Sequence, residues 1–255
     1  MTGRFFCTEL LIGKEKVARL KRSFVTVVGL GAVGGYVAEA LGRLGVGKIR
    51  LVDYDRLETS NLNRNILALE STLGESKVEA MRKRLLDINP ACYVETLEVF
   101  AAEDSFPSIF SDRPDAVIDA IDSLNPKARL LVYCHENQIP VFSAMGAATR
   151  TRIQSIQTGD LFKSRGCPLA REVRKRLRKS GIQSGIFCVY SDEPARQVPN
   201  VLPNEEDNYP RGRKRAKLGS LPTIPAIFGL TLAHHAAEYL CGSFDTSVHE
   251  VSGLA

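Results

Sequence analysis

The sequence predicts an α/β fold: a Rossmann-like, mostly parallel sheet with helices on both faces, extended by C-terminal antiparallel strands. Three observations predict it. The apolar run Phe24 to Val28 leads into the glycine-rich stretch Gly29-Leu30-Gly31-Ala32-Val33-Gly34; strand-like and helix-like periods alternate over the first 150 residues; two runs of alternating residues come after Thr151. With 255 residues and 44% hydrophobic content, the chain can bury one large core, so residues 1–255 are read as a single domain. Its parts are a nucleotide-binding half over about 1–150, a second part over about 151–219 and a C-terminal helix over about 224–242.

Taken in order, Arg4 to Leu20 has helical character and precedes the strand Phe24 to Val28, whose continuous apolar run suits a parallel strand buried on both faces. A helix from Val33 to Leu44 and a strand from Lys48 to Val52 complete one right-handed crossover unit. A helix from Lys77 to Ile88 ends at Asn89-Pro90; strands at Cys92 to Glu98 and Ala116 to Ile121 bracket a short helical stretch, and Pro140 to Ser143 continues the sheet. Arg152 to Ile156 and Gly185 to Tyr190 alternate as antiparallel strands do, with a basic helix between them. Ser191 to Gly219 is polar and carries Pro194, Pro199, Pro203 and Pro210, the composition of a long mobile loop.

A glycine triplet alone is weak evidence for a nucleotide. Here it comes after an apolar strand and opens a helix, and Asp53 ends the next strand nineteen residues after Gly34. Gly29 permits the tight turn, Gly31 lets backbone approach phosphate, Gly34 lets the helix pack closely, and Asp53 can accept from ribose hydroxyls. Three further stretches separate a triphosphate from a dinucleotide: Asp53-Tyr54-Asp55, then Ser60-Asn61-Leu62-Asn63-Arg64-Asn65, then Lys77 at a helix start. Arg64 and Lys77 are fixed cations suited to charge that develops when a phosphate is attacked, and Asn61 is a neutral donor. Asp122, just past the strand Ala116 to Ile121, is assigned to Mg²⁺ or nucleotide, since one or two carboxylates plus phosphate oxygens usually hold that ion; Asp119 is as well explained by structure. The small-residue run Ala144-Met145-Gly146-Ala147-Ala148 lies past a strand end and is expected to line the pocket with backbone.

The net charge of +5 is concentrated. Lys163 to Lys179 holds eight basic residues against one acidic, Arg211 to Lys217 holds five, and the remainder is net acidic. Leu169, Val173 and Leu177 recur every four residues and form an inward stripe, leaving Arg171, Arg174, Lys175, Arg178 and Lys179 as a face for a polyanion. Such a face reads phosphate and shape, as RNA binders do, and DNA is not expected as a partner. Six scattered cysteines without a C-x-x-C pair, and no charged leader, point to free thiols and a cytoplasmic location. Ile224 to Leu240 is read as a packed core helix, because His234, His235 and Glu238 interrupt it; peripheral membrane attachment is the alternative.

The motifs together resemble the ubiquitin-activating-enzyme-like (ThiF/MoeB/HesA-type) superfamily, whose members adenylate a carboxylate with ATP. They are Gly29-x-Gly31-x-x-Gly34, Asp53-x-Asp55, Ser60-Asn-Leu-Asn-Arg64, Lys77 and Ala120-Ile-Asp122-Ser123. Over nearly the whole chain, Arg4-Phe5 with Thr8 to Gly13, Ile88-Asn89-Pro90, Asp119 to Ser123 and Cys188 to Ser191 look like the tRNA threonylcarbamoyladenosine dehydratase family. That resemblance implies ATP-dependent cyclisation of threonylcarbamoyladenosine in tRNA, with Gly29, Gly31, Gly34, Asp53, Asn61, Arg64, Lys77, Asp122 and Ser123 at the ATP. Arg64, Lys77 and Asp122 would act in catalysis. It further implies a homodimer, a tRNA-facing part at about 151–219 and a link to cysteine desulfurase or sulfur-acceptor systems.

Two departures shape the expectation. Many relatives carry a second arginine three residues after the first, where this chain has Cys7, so an arginine acting in trans is not expected. Ser191 to Gly219 holds no cysteine, although thioester-forming and sulfur-passing relatives use one there. An intramolecular nucleophile needs no enzyme thiol to carry the acyl group, which favours the cyclase. An adenylating activator of a small sulfur-carrier or ubiquitin-like protein is the alternative, and a nicotinamide oxidoreductase the third reading.

Overall fold

The computed structural model describes residues 3–196 and 218–244. Arg211 to Lys217 and most of the expected loop, 197–217, lie outside the described residues.

Two short helices, α1 (Phe6–Ile12) and α2 (Lys14–Arg22), open the chain where the periodicity suggests one. Gly13, at φ +87°, takes a conformation that side-chain-bearing residues resist and breaks the run in two. The expected crossover unit comes next: β1 (Phe24–Val28), α3 (Gly34–Leu44) and β2 (Lys48–Val52). It leads into α4 (Lys77–Ile88), β3 (Tyr93–Leu97), α5 (Phe106–Ile109) and β4 (Ala116–Asp119). The strand β4 stops two residues early because the Asp119 side chain accepts the Ile121 N–H at 3.1 Å and turns the chain.

The helix α6 (Leu124–Glu136) has no counterpart in the expected elements. Its Asn125-Pro126 reads as a loop signal, yet proline is tolerated in a first helical turn, where the N–H has no intrahelical acceptor. After β5 (Val141–Ala144) the expected strand at 152–156 is displaced. Glu193 accepts the N–H groups of Thr151 and Arg152, at 2.9 and 2.8 Å, and a 3₁₀ turn intervenes before β6 (Ile156–Asp160). The helix α7 (Pro168–Lys179), β7 (Phe187–Ser191) and α8 (Thr223–Cys241) follow as the last elements among the described residues.

The seven strands form one sheet in the order β3-β2-β1-β4-β5-β7-β6. Of these only β6 is antiparallel; β7 lies parallel to β5, so α7 belongs to the crossover that returns the chain to the sheet. One apolar cluster joins α2, α3, α4 and α8, and a second joins α5, α6 and α7. These are the two covered faces expected from buried parallel strands.

The helix α8 is a core helix, burying Ile224, Phe228, Leu232, Ala233, Ala236, Ala237 and Cys241. Among the described residues no helix is long and apolar enough to cross a membrane. At Gly229 a Cβ would stand 2.5 Å from the Val33 carbonyl oxygen, so α8 crosses directly over the entry to α3. We expect Gly229→Ala to cost about 1–3 kcal/mol through overpacking, measured by urea unfolding.

Candidate active site

The carboxyl ends of β1, β2 and β4 carry the site. The tight turn after β1 requires Gly29, which has φ +92° and would place a Cβ 2.9 Å from the Ala120 carbonyl oxygen. Gly34 lies so close to the Gly29 carbonyl that a Cβ there would overlap it. Gly31 faces open space, so its lack of a side chain leaves room for a ligand rather than for a neighbour. The loop ends at the N-terminus of α3, whose first N–H groups have no acceptor within the helix.

Two side chains hold this loop through the Leu30 peptide unit. The Leu30 N–H donates to Asp53 Oδ2 at 2.5 Å, and the Leu30 carbonyl accepts from Asn65 Nδ2 at 3.0 Å. Asp53 is buried, and its other oxygen accepts the Asp55 N–H at 2.8 Å. Burial pushes its pKa up, and Lys77 opposes the shift. Asp53 therefore acts first as a clamp on the loop, with the second lone pair of each oxygen left for a ligand hydroxyl. Asn65 is not among the residues that the motifs single out; its position at the end of the Ser60–Asn65 run is the signal that points to it.

Lys77 is buried at the start of α4, an unfavourable place for a cation against the helix dipole. Asp55 compensates, with Oδ2 2.7 Å from Lys77 Nζ. Burial lowers the ammonium pKa, but Asp53, Asp55 and Asp122 outweigh it, and the net shift is upward. Lys77 is thus a fixed positive charge facing three carboxylates, Asp122 among them. A polyphosphate entering here would meet a cation already desolvated and positioned.

Arg64 and Asn61 stand on the neighbouring turn, which Asn65 ties to the glycine loop. Arg64 Nη1 donates to the Ser60 carbonyl at 2.7 Å and to Asn63 Oδ1 at 2.8 Å. Asn61 closes a local capping box with Glu58. Both belong to one compact turn and neither contacts Lys77. Beyond β4, Asp122 is exposed, while Ser123 is buried and is the N-cap of α6.

Asp119 is structural. Its Oδ2 lies 2.6 Å from Lys127 Nζ and accepts from Ser143 Oγ at 2.6 Å, and both charged side chains are fully buried. Lys127 also donates to the Ala144 carbonyl at 2.9 Å, which joins the ends of β4 and β5. No sequence motif marks Lys127, because the helix that carries it begins on a loop signal.

On α7 the inward seam is Ala170, Val173 and Leu177, with Leu169 half-buried at its side. Arg171, Lys175, Arg178 and Lys179 are exposed. Arg174 is half-buried instead: Nη1 donates to the Ser164 carbonyl at 2.9 Å and to Ser164 Oγ, tying down the turn before the helix.

Four buried thiols are poorly suited to nucleophilic work. Burial raises Cys188 to about 12 and Cys92 to about 11, and pushes Cys134 and Cys241 up as well. Cys167 is buried as the N-cap of α7, whereas Cys7 is exposed. His234 and His235 face Glu238 at the outer side of α8, and burial keeps His235 below the usual histidine range.

A family model described as the ThiF family matches residues 8–253. The chain belongs to the ThiF family. Within it, the chain is 40% identical to the tRNA threonylcarbamoyladenosine dehydratase of Bacillus subtilis, over 92% of this chain and 93% of that one. It is 35% identical to the Escherichia coli protein of the same name, over 92% of both. The crystal structure of the E. coli tRNA N6-threonylcarbamoyladenosine dehydratase in complex with ATP matches with a TM-score of 0.82 at 34% identity, covering 93% of each chain. In the ThiF chain, then, the glycine loop, the Asp53–Asn65 clamp and the Lys77 cluster sit on a shared fold.

Lys127→Met should cost about 3–5 kcal/mol in chemical unfolding, since it leaves the Asp119 charge buried without its partner. Thiols with raised pKa stay protonated at pH 8, so brief iodoacetamide labelling read by mass spectrometry should modify Cys7 and leave Cys92, Cys134 and Cys188 untouched.

Proposed function

We propose that this chain is an ATP-dependent tRNA-modifying dehydratase: it activates the threonyl carboxylate of threonylcarbamoyladenosine in tRNA, and the modification closes on itself with loss of one water. The observation that carries this is the 40% identity to a dehydratase of that name over 92% of the chain. The match to a homologous structure holding ATP supports the choice of nucleotide.

In this reading the carboxylate attacks a phosphorus of ATP, a mixed anhydride forms, and a phosphate-bearing group departs. An atom of the same modification then attacks the acyl carbon and expels the second phosphate-bearing group. Gly29, Gly31 and Gly34 shape the phosphate cradle, Asp53 receives the ribose, and Asn61 and Ser123 donate to the nucleotide. Arg64 and Lys77 stabilise charge as the phosphorus is attacked. No thiol has to carry the acyl group, in keeping with the protonated, buried cysteines.

Among the described residues no group of three metal-ligating side chains comes together. Mg²⁺ here would therefore rest on Asp122 and on the nucleotide's own phosphates, a set that suits the ion. When bound it neutralises phosphate charge.

Arg171, Lys175, Arg178 and Lys179 form the tRNA-facing surface on α7, with Arg174 supporting it from within. The exposed Leu10 and Leu11 of α1, at 71% and 82%, offer apolar surface for the second copy of a homodimer. The scattered free cysteines support a cytoplasmic setting, and the family resemblance supports a cysteine desulfurase or sulfur-acceptor partner.

Incubation with ATP, Mg²⁺ and tRNA carrying threonylcarbamoyladenosine should yield a nucleoside lighter by one water in mass spectrometry; an unchanged mass sinks the proposal. Lys77→Ala and Arg64→Ala should each lower turnover by about a hundredfold or more while tRNA affinity holds. Reversing the charge at Arg171 and Lys175 should weaken tRNA binding by about tenfold and flatten its salt dependence, leaving ATP affinity unchanged.

A further inference from the structure

Arg150 is a buried cation to which the described residues offer no counter-charge. It is 3% exposed, and among the described residues no carboxylate pairs with it. Its guanidinium makes two long contacts, Nη1 to Thr149 Oγ1 at 3.2 Å and Nη2 to the Gly166 carbonyl at 3.4 Å, and its Nε has no partner. Burying a charge in this state is costly unless something else pairs with it.

The surroundings are built for an anion. Gly166 immediately precedes Cys167, the N-cap of the twelve-residue helix α7, and the Cys167 side chain makes no capping bond. The Leu169 and Ala170 N–H groups of that first turn are of the kind that bind anions at helix starts. A side chain at Gly146 would meet Cys167 Sγ at 3.5 Å, so the backbone leaving β5 runs against the same turn. Thr149 holds φ +62°, an uncommon and strained value for a β-branched residue, of the type that gathers at ligand sites.

This place adjoins the nucleotide motif. The Thr149 N–H donates to the Gly219 carbonyl at 2.9 Å, and Asn63 Nδ2 donates to the next carbonyl, that of Ser220, at 3.1 Å. Two hydrogen bonds across one short segment thus join the Arg150 loop to the turn bearing Asn61 and Arg64. Both also lie at the carboxyl edge of the sheet, where Lys127 joins the ends of β4 and β5.

We propose that Arg150 and the first turn of α7 form the receptor for the carboxylate of the acyl substrate. The proposal rests on the dehydratase reading and names the residue that presents the reacting acid. A guanidinium fork takes a planar carboxylate through two parallel N–H bonds, and the ligand replaces the two long contacts to Thr149 and Gly166. The assignment matches one cation to one negative charge. Once the carboxylate is converted to an anhydride that charge is gone, and the hold on the acyl group relaxes.

The test uses tRNA carrying threonylcarbamoyladenosine, the same tRNA with the threonyl carboxylate as its methyl ester, and the Arg150→Gln and Arg150→Lys variants. Arg150→Gln should keep its Kd for ATP and for tRNA within about threefold, and dehydrate about a hundredfold more slowly. Wild type should prefer the acid to the ester in competition binding, and Arg150→Gln should not. Arg150→Lys keeps the charge without the fork and should recover part of the rate.

Turnover of Arg150→Gln within threefold of wild type overturns the proposal, as does an unchanged preference for the acid. Loss of ATP affinity in proportion to rate assigns the cation to nucleotide phosphate and overturns it too. Should Arg150→Gln fail to fold, Arg150→Lys decides: a wild-type rate overturns the fork. Wild type that prefers the acid but never releases water defeats the dehydratase reading, not the carboxylate receptor.

Discussion

The Leu30 peptide unit is held from both ends, by the Asp53 carboxylate on its N–H and by the Asn65 carboxamide on its carbonyl. Everything else in the site is measured from that unit. It sets the curvature of the glycine loop, aligns the start of α3, and brings together two motifs that are far apart in the chain. Because Asp53 ends β2 and Asn65 ends the Ser60–Asn65 run, the strand, the loop and the turn cannot shift independently. The cost is a carboxylate in a buried place, where desolvation pushes its pKa up. The nearby Lys77 lowers that cost, and Asp55 and Asp122 in turn hold Lys77 charged. The site is an alternation of charges in which each member makes the next one tolerable.

Much of this is legible in the sequence alone, for a physical reason. Glycines constrained by close backbone approach, and parallel strands buried on both faces, leave strong and local marks. Phe24–Val28, Gly34–Leu44, Lys48–Val52 and Lys77–Ile88 need only composition and period to be placed. The hidden part depends on side chains meeting across the fold. The displaced strand after Thr151 results from Glu193 capturing two backbone donors from about forty residues away, an event no local period records. The same holds for Lys127, fully buried although lysine is nearly always exposed, and masked by an Asn-Pro that reads as a loop.

The candidate site divides along the same line. Glycines, Asp53, Lys77 and Asp122 carry their chemistry in type and spacing. Asn65, Asp119, Lys127 and Arg150 acquire theirs only from what they touch. Arg174 goes the other way: part of a uniformly basic helix in sequence, it is a fastener for the turn before α7 in space. A charge run is therefore not one surface, and its members separate into outward cations and inward ties according to a 3.6-residue period that the charges themselves do not respect.

The parallel pairing of β5 with β7 changes what kind of object the basic helix is. Had β6 and β7 paired only with each other, apart from the main sheet, α7 would be an appendage that could be shed or exchanged with the sheet intact. As part of the crossover, it carries the chain from the edge strand β6 back to β7, which lies between β5 and β6, and its inner seam is core. The basic face proposed to meet a polyanion and the continuity of the sheet thus share a single segment. Recombination that removed one would remove the other, and variation in this capacity is confined to the outward positions of the helix.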